Sequence, residues 1–248
     1  MKDKELLSCI FLLGGHDLEM LEIRNILERK NLKNEVDFYD RNLTWGAKLS
    51  SYKDCFDDDK TFVGIELIID IDHPKKYIEI DHHNENSNND SSIEQLASLL
   101  KIKLSKRQML IAANDKGYIP AMQKLGAGKV EIERIRKADR KAQGAKPLDE
   151  KLAEKSIREN MQVENGITVV RSLTSFFSTI TDRLFPFQKL LIYNETNYCY
   201  YGEGTDKFAL HFHELVTAKN AWYGGGEDGF FGIRAEYTNV NEIIEIIK

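Results

Sequence analysis

Asp81-His82-His83 follows directly on the apolar segment Tyr77-Ile78-Glu79-Ile80, so three metal-capable side chains in succession stand where a strand ends. Open α/β sheets bind their ligands outside the carboxyl ends of the strands. Taken alone, the triplet reads equally well as a polar loop, because short motifs match by chance. Three further clusters share its setting. Gly14-Gly15-His16-Asp17-Leu18-Glu19 follows the apolar run Cys9 to Leu13, Asp70-Ile71-Asp72-His73 follows Val63 to Ile69, and Asn114-Asp115-Lys116-Gly117 follows a run that closes in Ala112-Ala113. Each has a plainer reading; Asp17 and Glu19, for instance, also suit the first turn of a helix through its dipole. Their common position at the ends of apolar segments, all before residue 120, argues for one shared site. Imidazoles and carboxylates without a thiolate suit manganese or another borderline-to-hard divalent ion better than a structural zinc.

The elements that must position these groups alternate. Short apolar runs and helical patterns follow one another over the first 120 residues, which is the mark of a parallel sheet with crossover helices. Cys9 to Leu13, Val36 to Tyr39, Val63 to Ile69 and Tyr77 to Ile80 are the expected strands. Leu18, Leu21, Ile23, Ile26 and Leu27 recur at helical spacing. Ser91 with Glu94 forms a capping box that opens a helix through Leu100, and a second helix is expected over Ser105 to Ala113. From Val130 to about Met161, charged and small residues predict two exposed helices, broken by Gly144 and Pro147. Past Gly166, short strands are expected at Ile167 to Val170, Leu190 to Tyr193, Cys199 to Tyr201 and Phe208 to Phe212. The expected fold class is two-domain α/β: a parallel-sheet metal-binding domain over 1–160 and a smaller strand-rich α/β cap over 165–248, with the site in the cleft between them.

Asp81-His82-His83, a polar loop, the Ser/Glu-opened helix, a second helix and a close in Asp115-Lys116-Gly117-Tyr118 follow one another in an order that resembles the DHH phosphoesterase superfamily. That family includes RecJ-type exonucleases, oligoribonucleases, cyclic-dinucleotide phosphodiesterases and manganese pyrophosphatases. His16 with Asp17 and Glu19 is similar to the family's first motif, and Asp70 or Asp72 to its second. Trp222-Tyr223-Gly224-Gly225-Gly226-Glu227 is similar to the glycine-rich motif of the associated cap domain. Lys116 stands where the family usually has Thr, and Glu227 where it usually has His. The resemblance implies that His16, Asp17, Glu19, Asp70 or Asp72, Asp81, His82 and Asp115 hold two Mn²⁺ (or Mg²⁺) ions, with Asp115 as a bridge. His82 and Asp115 then act in catalysis through the metals, and His83 meets the scissile phosphate or the leaving oxygen. Two such ions polarise a phosphoryl oxygen and activate water for in-line attack.

Gly224, Gly225 and Gly226 would let backbone N–H groups approach an anion, although a tight turn accounts for them equally well. Arg171 is a candidate phosphate clamp. His211 and His213 alternate on an expected strand and favour a structural role. The basic cluster Arg134, Arg136, Lys137, Arg140 and Lys141 reads as a solvated helix face.

The 248 residues carry 35 basic and 40 acidic side chains, a net charge of −5. With no polybasic run, charge-driven grip on long nucleic acid is disfavoured. No apolar run reaches the length of a membrane span or a signal core, so a cytoplasmic protein is expected. Three cysteines without a CxxC pair indicate neither a disulfide framework nor a cysteine zinc site. The expected function is metal-dependent hydrolysis of a small nucleotide, such as a short oligonucleotide or linear dinucleotide, by a protein that can form a homodimer. The alternatives are pyrophosphate or polyphosphate hydrolysis and a non-catalytic nucleotide sensor.

Overall fold

The computed structural model describes residues 9–41, 43–83, 86–224 and 229–247. The chain divides into two compact units, Met1–Gly144 and Ala145–Lys248.

The first unit opens with β1 (Cys9–Leu13), every residue of which is buried, and continues into α1 (Leu18–Asn31). β2 (Asp37–Tyr39), a 3-10 helix (Leu49–Cys55), β3 (Thr61–Ile65) and β4 (Tyr77–Ile80) follow, then α2 (Ser92–Leu100), α3 (Lys106–Lys124) and α4 (Lys129–Ala142). The strands form one parallel sheet in the order β2-β1-β3-β4. Alternate residues of β1 go to opposite faces. Phe11 and Leu13 pack with Ile23 and Leu27 of α1 and Ile93 and Leu96 of α2, while Ile10 and Leu12 meet Leu49 and Tyr52 of the 3-10 helix. Both faces are therefore covered, as buried parallel strands require.

Three expectations change here. β3 ends at Ile65 instead of running to Ile69, and α3 extends well beyond Ala113, with a break at Gly117 and Tyr118. The basic cluster of α4 is not one solvated face. Arg136 and Arg140 are buried along with Ile132, Ile135 and Asp139, while Arg134, Lys137 and Lys141 are exposed.

The second unit comprises α5 (Pro147–Asn160), β5 (Met161–Glu164), β6 (Ile167–Arg171), α6 (Ser178–Leu184), β7 (Lys189–Tyr193) and β8 (Asn197–Gly202). It continues through α7 (Thr205–His211), α8 (His213–Thr217), β9 (Ala221–Gly224), β10 (Phe230–Arg234) and α9 (Val240–Ile247). Its six-stranded sheet runs β5-β6-β7-β8-β10-β9, with β6 and β7 parallel and the other neighbours antiparallel. α5, assigned to the first domain on sequence, packs Ala153 against Val170 and Ile180 of this unit. Phe208 to Phe212, expected as a strand, is helical. Phe208 and Phe212 are both buried four residues apart, whereas Leu210 between them is 79% exposed. A strand would have put all three on one face. His211 and His213 therefore fall on two short helices, and His211 Nε2 lies 3.7 Å from Glu242.

Candidate metal centre

Parallel register brings the candidate ligands to one edge. Leu13 pairs with Ile65, and Ile65 with Ile80. The ladder continues one step further, with Gly14 N donating to the Ile65 carbonyl and Glu66 N to the Ile80 carbonyl, both at 2.9 Å. The chain segments bearing Asp17 and Glu19, Glu66, and Asp81-His82-His83 thus leave the sheet at the same level. Gly14 and Gly15 are needed for this approach. Gly15 has φ +71°, and a Cβ at either glycine would run into Glu66, into its carbonyl oxygen from Gly14 and its carboxylate from Gly15.

Asp17 caps α1, with Oδ1 accepting from Met20 N at 2.8 Å. Glu19 Oε1 accepts from Ile93 N in the first turn of α2 at 3.1 Å. Glu19 Oε2 stands 3.3 Å from His82 Nε2, which is also 2.6 Å from Asp115 Oδ2 and 3.9 Å from Glu66 Oε1. One ligand atom from each of Glu19, His82 and Asp115 lies within 4.8 Å of the others, and the same holds for Glu66, His82 and His83. Asp17, at 2% exposure, and Glu19, at 1%, are deeply buried.

The approaches of His82 to Glu19 and Asp115 are at ion-pair distance but off the direction of a well-formed hydrogen bond. Asp17 Oδ2, Glu19 Oε2, both Glu66 carboxylate oxygens, His82 Nε2 and Asp115 Oδ2 are buried and make none in acceptable geometry among the described residues. Each such atom ordinarily costs about 1–3 kcal/mol. The carboxyl groups respond in their proton affinity. Burial, then the charge of Asp115, pushes Asp17 up to about 7. Burial likewise raises Glu19, against the opposing effect of His82, and holds Glu66 well above the carboxylate range with help from Asp17 and Glu19. For His82 burial acts downward, but Asp115 and Glu19 outweigh it and lift the imidazole to about 10. Orphaned oxygens that repel one another around an imidazole nitrogen fit a hard or borderline divalent cation, which would satisfy the lone pairs and the charge together.

His83 stands beside this cluster. Asp81 Oδ1 accepts from His83 N and lies 2.9 Å from His83 Nδ1, so Asp81 orients the neighbouring ring. That hydrogen bond raises His83, while in Asp81 the bonds from His83 overcome the upward push of burial and leave the group lowered.

Of the residues singled out on sequence, Asp17, Glu19, His82 and Asp115 come together. His16 is half-buried next to Asp17 but, like Asp81, supplies no atom to either converging group among the described residues. Asp70 and Asp72 lie elsewhere. Asp70 accepts from Ser50 N at 3.0 Å and Ser50 Oγ at 2.7 Å, and Asp72 lines a pocket with Lys53, Phe56 and Ile71. Glu66 occupies the place expected for them, because β3 stops one residue before it. Its signal in the sequence is a lone carboxylate within the apolar run Val63 to Ile69. In the second unit, Arg171 ends β6 with 59% of its side chain exposed and lies 3.6 Å from Glu195. Gly224 ends β9, packed near Phe230. Gly225, Gly226 and Glu227 lie outside the described residues.

No protein-family profile matches the chain, and no curated protein matches it. Among solved structures, a pGpG-specific phosphodiesterase, PggH from Vibrio cholerae, is 10% identical and matches over 97% of this chain and 98% of its own, with a TM-score of 0.50. RecJ from Thermus thermophilus in complex with Mn²⁺ is also 10% identical, over 99% of this chain and 52% of its own, with a TM-score of 0.43. Among the described residues no helix is long and apolar enough to cross a membrane. A parallel sheet that presents Asp81-His82-His83 beyond its fourth strand, followed by a mixed-sheet unit, gives this chain a fold similar to that of the phosphodiesterase PggH.

Proposed function

We propose that the protein is a divalent-metal-dependent phosphoesterase acting on a small nucleotide, a short oligonucleotide or a linear dinucleotide. The observation that carries this reading is the buried convergence of Asp17, Glu19, Glu66, Asp115 and His82, whose unsatisfied atoms face one another at the carboxyl edge of a parallel sheet. These residues would hold Mn²⁺ or Mg²⁺, with His82 and Asp115 common to the tightest contact. A divalent ion held there supplies Lewis acidity toward a phosphoryl oxygen and a water acidic enough to attack near neutral pH. Asp81 fixes the His83 ring through Nδ1 and raises its proton affinity, so His83 can carry a proton at Nε2 toward the scissile phosphate or leaving oxygen. In the second unit, Arg171 and Gly224 to Gly226 are the candidate contacts for a substrate phosphate. PggH, similar in fold over its full length, acts on pGpG, which is consistent with a linear dinucleotide as substrate.

The test is hydrolysis by full-length protein, with Mn²⁺ or Mg²⁺, of pGpG and other dinucleotides, cyclic dinucleotides, short RNA and DNA, and pyrophosphate. Metal-dependent cleavage of linear dinucleotides or short oligonucleotides, lost in His82→Ala and Asp115→Ala, is expected. Preferential cleavage of pyrophosphate would replace the substrate assignment. Metal binding without turnover of any phosphoester would leave a nucleotide sensor in its place.

A further inference from the structure

We propose that Arg136 is a positioning residue of the metal centre, fixing the spacing between the segment that carries Asp17 and the segment that carries Asp115. The inference rests on the metal-centre reading above. Arg136 comes from α4, the last helix of the first unit, and supplies no ligand itself. Its Nη1 donates to Asn114 Oδ1 at 2.9 Å and to Asp139 Oδ2 at 2.8 Å, and its guanidinium lies over the Tyr118 ring at 4.5 Å. Asp139 Oδ1 accepts from Leu18 N at 3.3 Å, and its Oδ2 also accepts from Gln143 Nε2 at 3.1 Å.

Three ends of this network lie in the segments that carry ligands. Leu18 follows Asp17, Asn114 precedes Asp115, and Tyr118 lies three residues beyond Asp115. Asn114, Arg136 and Asp139 are all buried. Tyr118 holds φ +57° and ψ −149° inside the break of α3, a backbone state that persists only where the surroundings impose it. Nη1 serves Asn114 and Asp139 together while the guanidinium lies over the Tyr118 ring, and a lysine ammonium has no planar group to lay on that ring while it makes the two hydrogen bonds.

A positioning role and a purely electrostatic one predict opposite signs. Arg136 is a cation near a cation site, so removing its charge would by Coulomb's law alone tighten metal binding. If it holds the ligand segments in place, removal loosens them and weakens binding. Groups behind metal ligands typically contribute about 10–100-fold in affinity.

Full-length wild type, Arg136→Gln, Arg136→Lys and Asn114→Ala are titrated with Mn²⁺ by calorimetry, with bound ions counted by electron paramagnetic resonance and metal-free melting measured in parallel. The proposal expects Mn²⁺ affinity to fall about 10–100-fold in both Arg136 variants, at a temperature where the metal-free proteins are folded. A merely structural role would lower the melting temperature and leave the affinity of the folded protein unchanged. Affinity equal to or tighter than wild type in Arg136→Gln overturns the proposal. If that variant does not fold, Asn114→Ala, which removes the acceptor without changing charge, decides by the same criterion. Wild type that binds no Mn²⁺ refutes the metal-centre reading itself, whereas wild type that binds while the variants match it refutes the positioning role alone.

Discussion

Stripped of metal, the first unit should lose stability as pH rises from about 4.5 to 8, the reverse of ordinary acid denaturation. Asp17 titrates near 3.8 when unfolded and at about 7 in the fold, because burial and Asp115 disfavour its charged form. A group whose folded affinity for protons is raised contributes stability that is fully present below its unfolded pKa and lost as pH rises through the folded one. For Asp17 that window is about 4 to 7, and the difference corresponds to roughly 4 kcal/mol. His82, lifted to about 10, acts in the same sense, its contribution being lost between about 6.5 and 10. Glu19 and Glu66 are raised as well and deepen the loss. Against a typical margin of 5–15 kcal/mol, roughly 4 kcal/mol is a large fraction. The assay is urea unfolding of EDTA-treated protein at pH 4.5, 6.0 and 7.5 by far-ultraviolet circular dichroism, following the transition that Mn²⁺ shifts. Its midpoint should fall with pH, Mn²⁺ should recover more at high pH than at low, and Asp17→Asn should flatten the slope. A midpoint that stays level or rises between pH 4.5 and 7.5 in metal-free wild type would refute the electrostatic account of the cluster.

Glu66→Gln should weaken Mn²⁺ binding by at least about tenfold, a lower bound set by what groups behind the ligands contribute, as calorimetry would read. Gly15→Ala should cost about 1–3 kcal/mol, from a strained positive φ and the collision with Glu66, measured as a urea midpoint shift. Asp70→Asn and Asp72→Asn should leave Mn²⁺ affinity unchanged, since Asp70 is held by Ser50; a tenfold loss in either would restore the sequence assignment.

Much of the site was legible because the apolar runs that precede it are short and bounded. β1 and β4 end where Gly14 and Asp81 interrupt them, so Asp17, Glu19 and His82 could be placed from pattern alone, and the Ser91–Glu94 capping box forms as expected. Glu66 escaped because a carboxylate amid Val63 to Ile69 looks like one face of a continuing strand. Only the pairing of Ile65 with Ile80 shows where the strand stops. The α7 helix was missed because Phe208 and Phe212 satisfy both a period of two and one of four, and Leu210 decides between them only through its exposure. Arg136 was misplaced for the opposite reason. A charged helix reads as solvated unless the partners that compensate a buried guanidinium are known; Asn114 comes from another helix, and Asp139, one turn further along the same face, looks on sequence like an ordinary exposed ion-pair partner.

The shared register of β1, β3 and β4 also determines where this chain can change length. An insertion of one residue within β3 would advance Glu66 by about 3.3 Å and turn it to the opposite face of the sheet, breaking the centre even if every ligand type were kept. The exposed turn Asp57 to Lys60 precedes β3 and enters no ligand's register, so it can lengthen at little cost beyond loop closure. An insertion in this turn thus leaves the centre intact, whereas one inside β3 dismantles it.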